Sequence, residues 1–198
     1  LRPLTDNRIP HAEKRIFMKK LLLHTCCAPC MIYPLERLRQ DGFDVSGFFY
    51  NPNIHPAPEF NLRRQAVEEY GKGQQVPVAF PEYDPDIFFR TVPESLGFPA
   101  RCAYCWKLRL SQTARYAREN GFTAFTTTLL VSPYQDIEVI KQVGNLAAEE
   151  QGVLFYFEDF RPGFRKAHDQ AKKAGIYCQK YCGCVYSERE RAMAKKKK

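Results

Sequence analysis

Seven of the eight cysteines fall in three short groups, Cys26-Cys27-x-x-Cys30, Cys102-x-x-Cys105 and Cys182-x-Cys184. Thiols two or three residues apart on a turn can converge on one metal, whereas disulfide partners are usually spread along a chain to join distant loops. The grouping predicts a metal centre. Cys178 stands just before the third group and reads equally well as a ligand or as a small buried thiol. Residues 1–17 are polar and proline-broken without the apolar core of a signal peptide, and no stretch approaches the length of a membrane span. The expected setting is therefore cytoplasmic and reducing, where stable disulfides are uncommon.

The residue types alone leave the metal open. Cys102, Cys105, Cys182 and Cys184 suffice for one tetrahedral zinc, but that leaves Cys26, Cys27 and Cys30 over. An iron–sulfur cluster with a neighbouring metal uses more of the thiols. Cys27-Ala28-Pro29-Cys30, at a strand-to-helix turn, also has the form of a thioredoxin-like redox pair, although that reading leaves the other two groups without a role.

The elements that must position these thiols alternate. Apolar runs at 19–24, 45–50, 76–80, 124–128 and 153–157 read as strands. Amphipathic stretches at 30–40, 59–72, 104–120 and 133–150 read as helices, the last capped by Ser132. Strands joined by helical crossovers imply an α/β fold: a three-layer, doubly wound, mostly parallel five-stranded sheet. Ligands of such sheets sit beyond the carboxyl ends of the strands. Cys26 and Cys27 follow the first strand there, and Cys102 and Cys105 open a helix whose N-terminus must point back toward the same edge to join them.

With 198 residues, 44% of them hydrophobic, the chain can bury a full core without needing metal to fold. Residues 1–16 read as an extension, 17–191 as one domain whose segment 161–191 closes the site, and 192–198 as a basic tail. The net charge of +8 is uneven: residues 1–160 carry −1 and residues 161–198 carry +9. A polyanionic partner fits that distribution, and the 15 Phe and 11 Tyr offer rings on which unpaired bases could stack.

The motifs His24-Thr25-Cys26-Cys27-Ala28-Pro29, Phe49-Tyr50-Asn51-Pro52-Asn53-Ile54, Arg101-Cys102-x-x-Cys105, Thr126-Thr127-Thr128-Leu129-Leu130-x-Ser132-Pro133 and Tyr181-Cys182-Gly183-Cys184 together make the chain resemble the QueH family of epoxyqueuosine reductases over roughly residues 17–190. The resemblance implies reduction of epoxyqueuosine to queuosine at the wobble position of tRNA anticodons. It implies a [4Fe-4S] cluster with an adjacent mononuclear metal, iron or in purified protein zinc, and no cobalamin. Cys26, Cys27, Cys30, Cys102, Cys105, Cys182 and Cys184 become the expected metal ligands, with their partition between cluster and metal left open. Some relatives have Asp in place of Cys30, and relatives often have Arg in place of Cys178. The implied partners are tRNA and an external electron donor, ferredoxin or flavodoxin. The implied fold is similar to that of PP-loop (HUP-like) tRNA-modifying enzymes, but His24-Thr25-Cys26-Cys27 stands where those enzymes carry a phosphate-cradling Ser-Gly-Gly-x-Asp-Ser turn. ATP use is not expected, and no membrane association is.

Tyr50, Asn51, Asn53 and Thr127, at the ends of strands two and four, are the expected substrate contacts. Arg161 is the preferred contact to a phosphate or base, since a guanidinium can grip a phosphate with two hydrogen bonds. His24, Tyr50, Glu59 and Tyr181 are placed to act as proton donors; for His24 the plainer expectation is a satisfied histidine at a strand end. Arg63 and Arg64 read as a solvated helix face. The rival readings are a zinc-stabilised RNA-binding protein without catalysis and a cluster-dependent tRNA thiolation enzyme, which would need ATP.

Overall fold

A computed structural model describes residues 19–196, so the expected extension at 1–16 lies outside the described residues. Five strands, β1 (Lys20–His24), β2 (Asp44–Phe48), β3 (Val78–Ala79), β4 (Ala124–Thr127) and β5 (Leu154–Phe155), form one parallel sheet in the order β3-β2-β1-β4-β5. The central strand β1 is buried from Leu21 to His24, as a strand covered by helices on both faces must be. Register aligns its end with those of its neighbours: His24 lies opposite Phe48 on one side and Thr127 on the other. Whatever follows these strands therefore emerges at one edge.

The helices are α1 (Ala28–Gln40), α2 (Ala57–Gly73), α3 (Asp86–Thr91), α4 (Ala100–Glu119), α5 (Ile137–Gln151), α6 (Phe164–Lys173) and α7 (Val185–Lys196). α1 packs against α2 and α6 on one side of the sheet, and α4 packs against α5 on the other. The core runs from Leu21–Leu23 through Leu35, Leu38 and Phe48 to Trp106, Leu110, Phe125 and Ile140.

Two local differences from the sequence reading have physical causes. The cap of α5 is Asp136, not Ser132: the Asp136 carboxylate accepts from the backbone N–H groups of Glu138 and Val139, each at 3.1 Å. Ser132 instead ends a 3-10 turn, Thr128–Val131, and its Oγ accepts from the Tyr134 N–H at 3.3 Å. The segment 161–191, for which the sequence reading named no helix, contains α6 and the first turns of α7, which continues to Lys196. The polar α6 escapes a search for apolar periodicity because it buries little more than Ala167 and Ala171, against Ile32 of α1.

Gly163, at the entry to α6, sits directly on the ring of Tyr33 in α1: a Cβ there would lie 1.9 Å from Tyr33 Cγ. Gly73 at the end of α2 has nothing within 4 Å of its would-be Cβ. Gly163→Ala should therefore lower unfolding stability by about 2 kcal/mol through forced displacement of α6 from α1. Gly73→Ala should stay within about 1 kcal/mol of the parent. Urea unfolding of the two variants side by side reads the difference.

Candidate metal centre

The turn after β1 is fixed by its neighbours. Thr25 donates its N–H to Phe48 O at 2.9 Å, and Cys26 donates its N–H to Thr128 Oγ1 at 3.0 Å. The Thr128 hydroxyl in turn donates to Cys26 Sγ at 3.2 Å, so one threonine at the end of β4 orients both backbone and thiol. Cys27 then caps α1 with extended backbone, and Pro29 occupies the first turn, where its missing N–H costs nothing. The ligand atoms of Cys26, Cys27 and Cys30 all lie within 4.8 Å of one another.

Cys102 and Cys105 lie in the first two turns of α4, with Cys182 and Cys184 on the segment leading into α7. Cys26, Cys30, Cys102, Cys105, Cys182 and Cys184 all line one cavity of about 520 Å³. Cys27 stands at its base beside Cys26, 3.8 Å between sulfurs. The structure thus brings together the seven thiols that the sequence singled out. Cys178 lies elsewhere, packed near Ile32, Ala167 and Ala171 with its thiol toward the Ile176 carbonyl at 3.4 Å.

The third group reaches the cavity through Arg63. Rather than lying on a solvated face, this side chain is 1% exposed. It pairs with Glu59 at 2.8 Å and donates to Tyr181 O at 3.0 Å and Cys182 O at 3.1 Å. The loop after β2 adds two bonds: His55 N–H to Gly183 O at 2.8 Å, and the Tyr181 hydroxyl to His55 O. Gly183 has φ +124, and a Cβ there would press on Ile54, Arg63 and Asn53, so the Cys-Gly-Cys spacing requires glycine in the middle.

Within each group the thiols share protons unequally. Hydrogen bonds from Cys27 and Cys30 hold the Cys26 thiol well below its ordinary value, while burial pushes Cys27 up and the bond to Cys26 does the same for Cys30. A hydrogen bond from Cys184 brings Cys182 down to about 5, and Cys184 rises correspondingly. Burial, followed by nearby thiol charge, pushes Cys102 up to about 12; burial also pushes Cys105 up to about 11. Such a set holds protons that a metal would displace. The donor chemistry fits: two sulfurs bound to one tetrahedral ion at about 2.3 Å lie about 3.8 Å apart. The Cys26–Cys27 and Cys182–Cys184 separations are 3.8 and 3.9 Å. The Cys26, Cys27 and Cys30 group could hold a metal ion or contribute thiolates to a cluster.

Apart from Tyr181, the other expected site residues lie outside the cavity lining. His24 is buried, and burial, helped by the charge of Arg109, lowers its pKa to about 3. Thr127 Oγ1 accepts from the Leu129 N–H at 3.1 Å and from His24 Nδ1–H at 2.8 Å, which leaves His24 Nε2 as the acceptor facing the Arg109 Nε–H at 3.4 Å. His24 is thus a satisfied neutral imidazole. Asn51 is buried between Thr25 O, to which it donates at 2.9 Å, and Arg109 Nη2, from which it accepts at 2.7 Å. Asn53 is buried beneath Gly183, and its amide lacks a partner among the described residues. Tyr50 is half-buried and stacks on Phe48 with ring centroids 6.0 Å apart. Glu59 accepts from both Arg63 and Tyr177, which makes it a structural ion pair rather than a free acid. Arg161 is exposed and gripped by Asp159 through two bonds, at 2.8 and 2.6 Å, away from the cavity lining. Tyr181 is the one of the four expected proton donors that lines the cavity.

Several lining residues escaped the sequence reading, Gln179 and Arg109 among them. Gln179 donates its amide N–H to Cys27 Sγ at 2.9 Å, and Arg109 stands one turn beyond Cys105 in α4. The spacing of Arg109 from Cys105 was a usable signal, since residues four apart share a helix face.

Arg63→Met should cost about 3 kcal/mol, because it leaves Glu59 and two backbone carbonyls buried without their donor. Its neighbour Arg64 only lies over the Phe80 ring at 5.3 Å, so Arg64→Met should change stability by less than about 1 kcal/mol. Denaturation midpoints, together with metal retained per chain after gel filtration, check both.

A family model described as "Epoxyqueuosine reductase QueH" matches residues 21–190. A protein of that name from Dehalococcoides mccartyi is 38% identical over 87% of this chain and 94% of its own length. Its Thermotoga maritima namesake is 37% identical over 88% and 93%. Among solved structures, a predicted subunit of tRNA methyltransferase from Methanocaldococcus jannaschii aligns with a TM-score of 0.53 at 12% identity, covering 78% of this chain and 74% of that one, a likeness of fold. With seven thiols gathered at the carboxyl edge of such a sheet, and relatives alike over nearly their whole length, the chain belongs to the epoxyqueuosine reductase QueH family.

Proposed function

We propose that this chain reduces epoxyqueuosine to queuosine at the wobble position of tRNA, using a [4Fe-4S] cluster and an adjacent metal held by Cys26, Cys27, Cys30, Cys102, Cys105, Cys182 and Cys184. The observation that carries the reading is the convergence of three thiol groups on one cavity in a member of this family. Removing the epoxide oxygen as water and leaving an alkene consumes two electrons and two protons. When bound, the metal group supplies electrons one at a time from an external donor such as ferredoxin or flavodoxin, and a Lewis acid for the oxygen.

The chain's own residues bind and orient. In the cavity lining Phe98 and Tyr134 are 66% and 75% exposed and offer ring faces on which an inserted base can stack. Lys180 and Arg191 line the same cavity and offer cations to the phosphates on either side of an inserted base. Arg161, held rigid by Asp159, is left to meet the RNA backbone outside the cavity. Asn51 and Thr127 serve the substrate indirectly, by fixing Arg109 and His24. The Tyr181 phenol, pushed up to about 12 by burial and then by the charge of Glu59, keeps its proton at neutral pH, and the imidazole of His168 also faces the cavity. The Tyr181 hydroxyl is already donated to His55 O, which leaves the His168 imidazole as a proton carrier at hand.

Anaerobically reconstituted protein with a chemical reductant and tRNA containing epoxyqueuosine should yield queuosine, identified by nucleoside mass. A colourless, zinc-only protein that binds tRNA and forms no product would replace the reductase with an RNA-binding module. Base–aromatic stacking is worth about 1–3 kcal/mol, so Tyr134→Ala should raise the KM for tRNA roughly tenfold with kcat largely kept, while Tyr134→Phe stays near the parent. Steady-state kinetics on the two variants checks this.

A further inference from the structure

Arg109 is 4% exposed and lines the thiol cavity. A guanidinium stays charged at any pH a folded protein meets, and a buried charge is costly without a counter-charge. Two other buried arginines have theirs: Arg63 pairs with Glu59 at 2.8 Å and Arg101 with Glu190 at 2.6 Å. Among the described residues no carboxylate pairs with Arg109. Its Nη2 donates to the Asn51 amide oxygen at 2.7 Å, and its Nε approaches His24 Nε2 at 3.4 Å. Both partners are neutral, the imidazole because its Nε2 accepts from the guanidinium. They aim the guanidinium without cancelling it.

What remains to balance the charge is sulfur. Arg109 shares its cavity with Cys26, Cys30, Cys102, Cys105, Cys182 and Cys184, and it stands one helical turn from Cys105. Each thiolate brought to a metal adds a negative charge to this cavity, and each electron taken up by an iron–sulfur group adds another.

We propose that Arg109 is the built-in counter-ion of the metal centre, a buried cation whose missing partner is the thiolate-ligated group itself and whose charge raises that group's affinity and its reduction potential. The proposal rests on the reading of the seven thiols as a metal centre. Asn51 and His24 are its positioning residues. The helix that supplies Cys102 and Cys105 thus also carries the compensating charge, so ligands and cation arrive on one rigid element.

The test compares Arg109→Met, Arg109→Lys and Asn51→Asp, the last keeping the arginine but giving it a carboxylate. Iron and sulfide are counted after anaerobic reconstitution, followed by a mediated redox titration read by visible absorption. In parallel, zinc-loaded protein is challenged with a chelator. Arg109→Met should lower the reduced-to-oxidised ratio at fixed potential about tenfold, which for one electron is about 59 mV toward more negative potentials. Zinc affinity should fall by a similar factor. Arg109→Lys, which keeps the charge, should stay within about threefold of the parent, and Asn51→Asp should shift in the direction of Arg109→Met. Equal shifts in the Met and Lys variants would mean that the guanidinium geometry matters and its charge does not, which overturns the proposal. So would parent-like values in Arg109→Met. If that variant fails to fold, an unshifted Asn51→Asp overturns it. Failure of the parent to take up iron and sulfide removes the reductase reading, while the zinc competition still reads the counter-ion.

Discussion

The site depends on one buried guanidinium. Arg63, on α2, binds Glu59 of its own helix and the carbonyls of Tyr181 and Cys182, more than a hundred residues further along the chain. The first two thiol groups are placed by the sheet: one in the turn after β1, the other at the start of the helix that crosses to β4. The third belongs to a segment outside the sheet and has no strand to register it. Arg63 supplies that registration, with His55 and Tyr181 adding bonds from the loop after β2. Because the guanidinium is buried, losing it strands an acid and two acceptors in low dielectric, so the anchor is strong in the same measure as its removal is costly.

Around this anchor the site is a matter of charge management. Thiolates in a buried cavity repel one another and are poorly solvated, and the chain answers with threonine and glutamine donors to individual sulfurs and with arginines in the wall. Arg63 and Arg101 are each half of a local ion pair, so they hold chain segments in place. Arg109, held between neutral groups, has no carboxylate partner among the described residues to offset its field. Structural and electrostatic duties are thus divided between side chains of the same type by their partners. That division is visible only once partners are known.

The sheet, its crossovers and the gathering of the thiols were legible in the sequence, because apolar runs mark strands, helical periodicity marks crossovers, and parallel strands leave only one edge for the turns that follow them. Ser132 was a plausible cap, but the neighbouring 3-10 turn uses it, and Asp136 caps α5. Arg63 looks solvated in sequence since its burial is caused by carbonyls at 181 and 182. Asn51 and Thr127 sit where ligand contacts belong, yet each polar group is already committed to a protein partner. Sequence position identifies the edge of the sheet; it does not say whether a side chain there faces the cavity or braces its wall. Arg109 carried a signal in its spacing from Cys105, and the meaning of that signal lay in its having no carboxylate partner among the described residues, which no local pattern displays.

The central claim is that three separate thiol groups form one centre. A crystal of anaerobically reconstituted protein, measured with anomalous scattering on both sides of the iron edge, tests it most directly. The account predicts iron density inside the cavity bounded by Cys26, Cys30, Cys102, Cys105, Cys182 and Cys184, with sulfurs from all three groups at about 2.3 Å from metal. Metal bound by a single group, with the thiols of the other two left unligated around an otherwise intact fold, would contradict it.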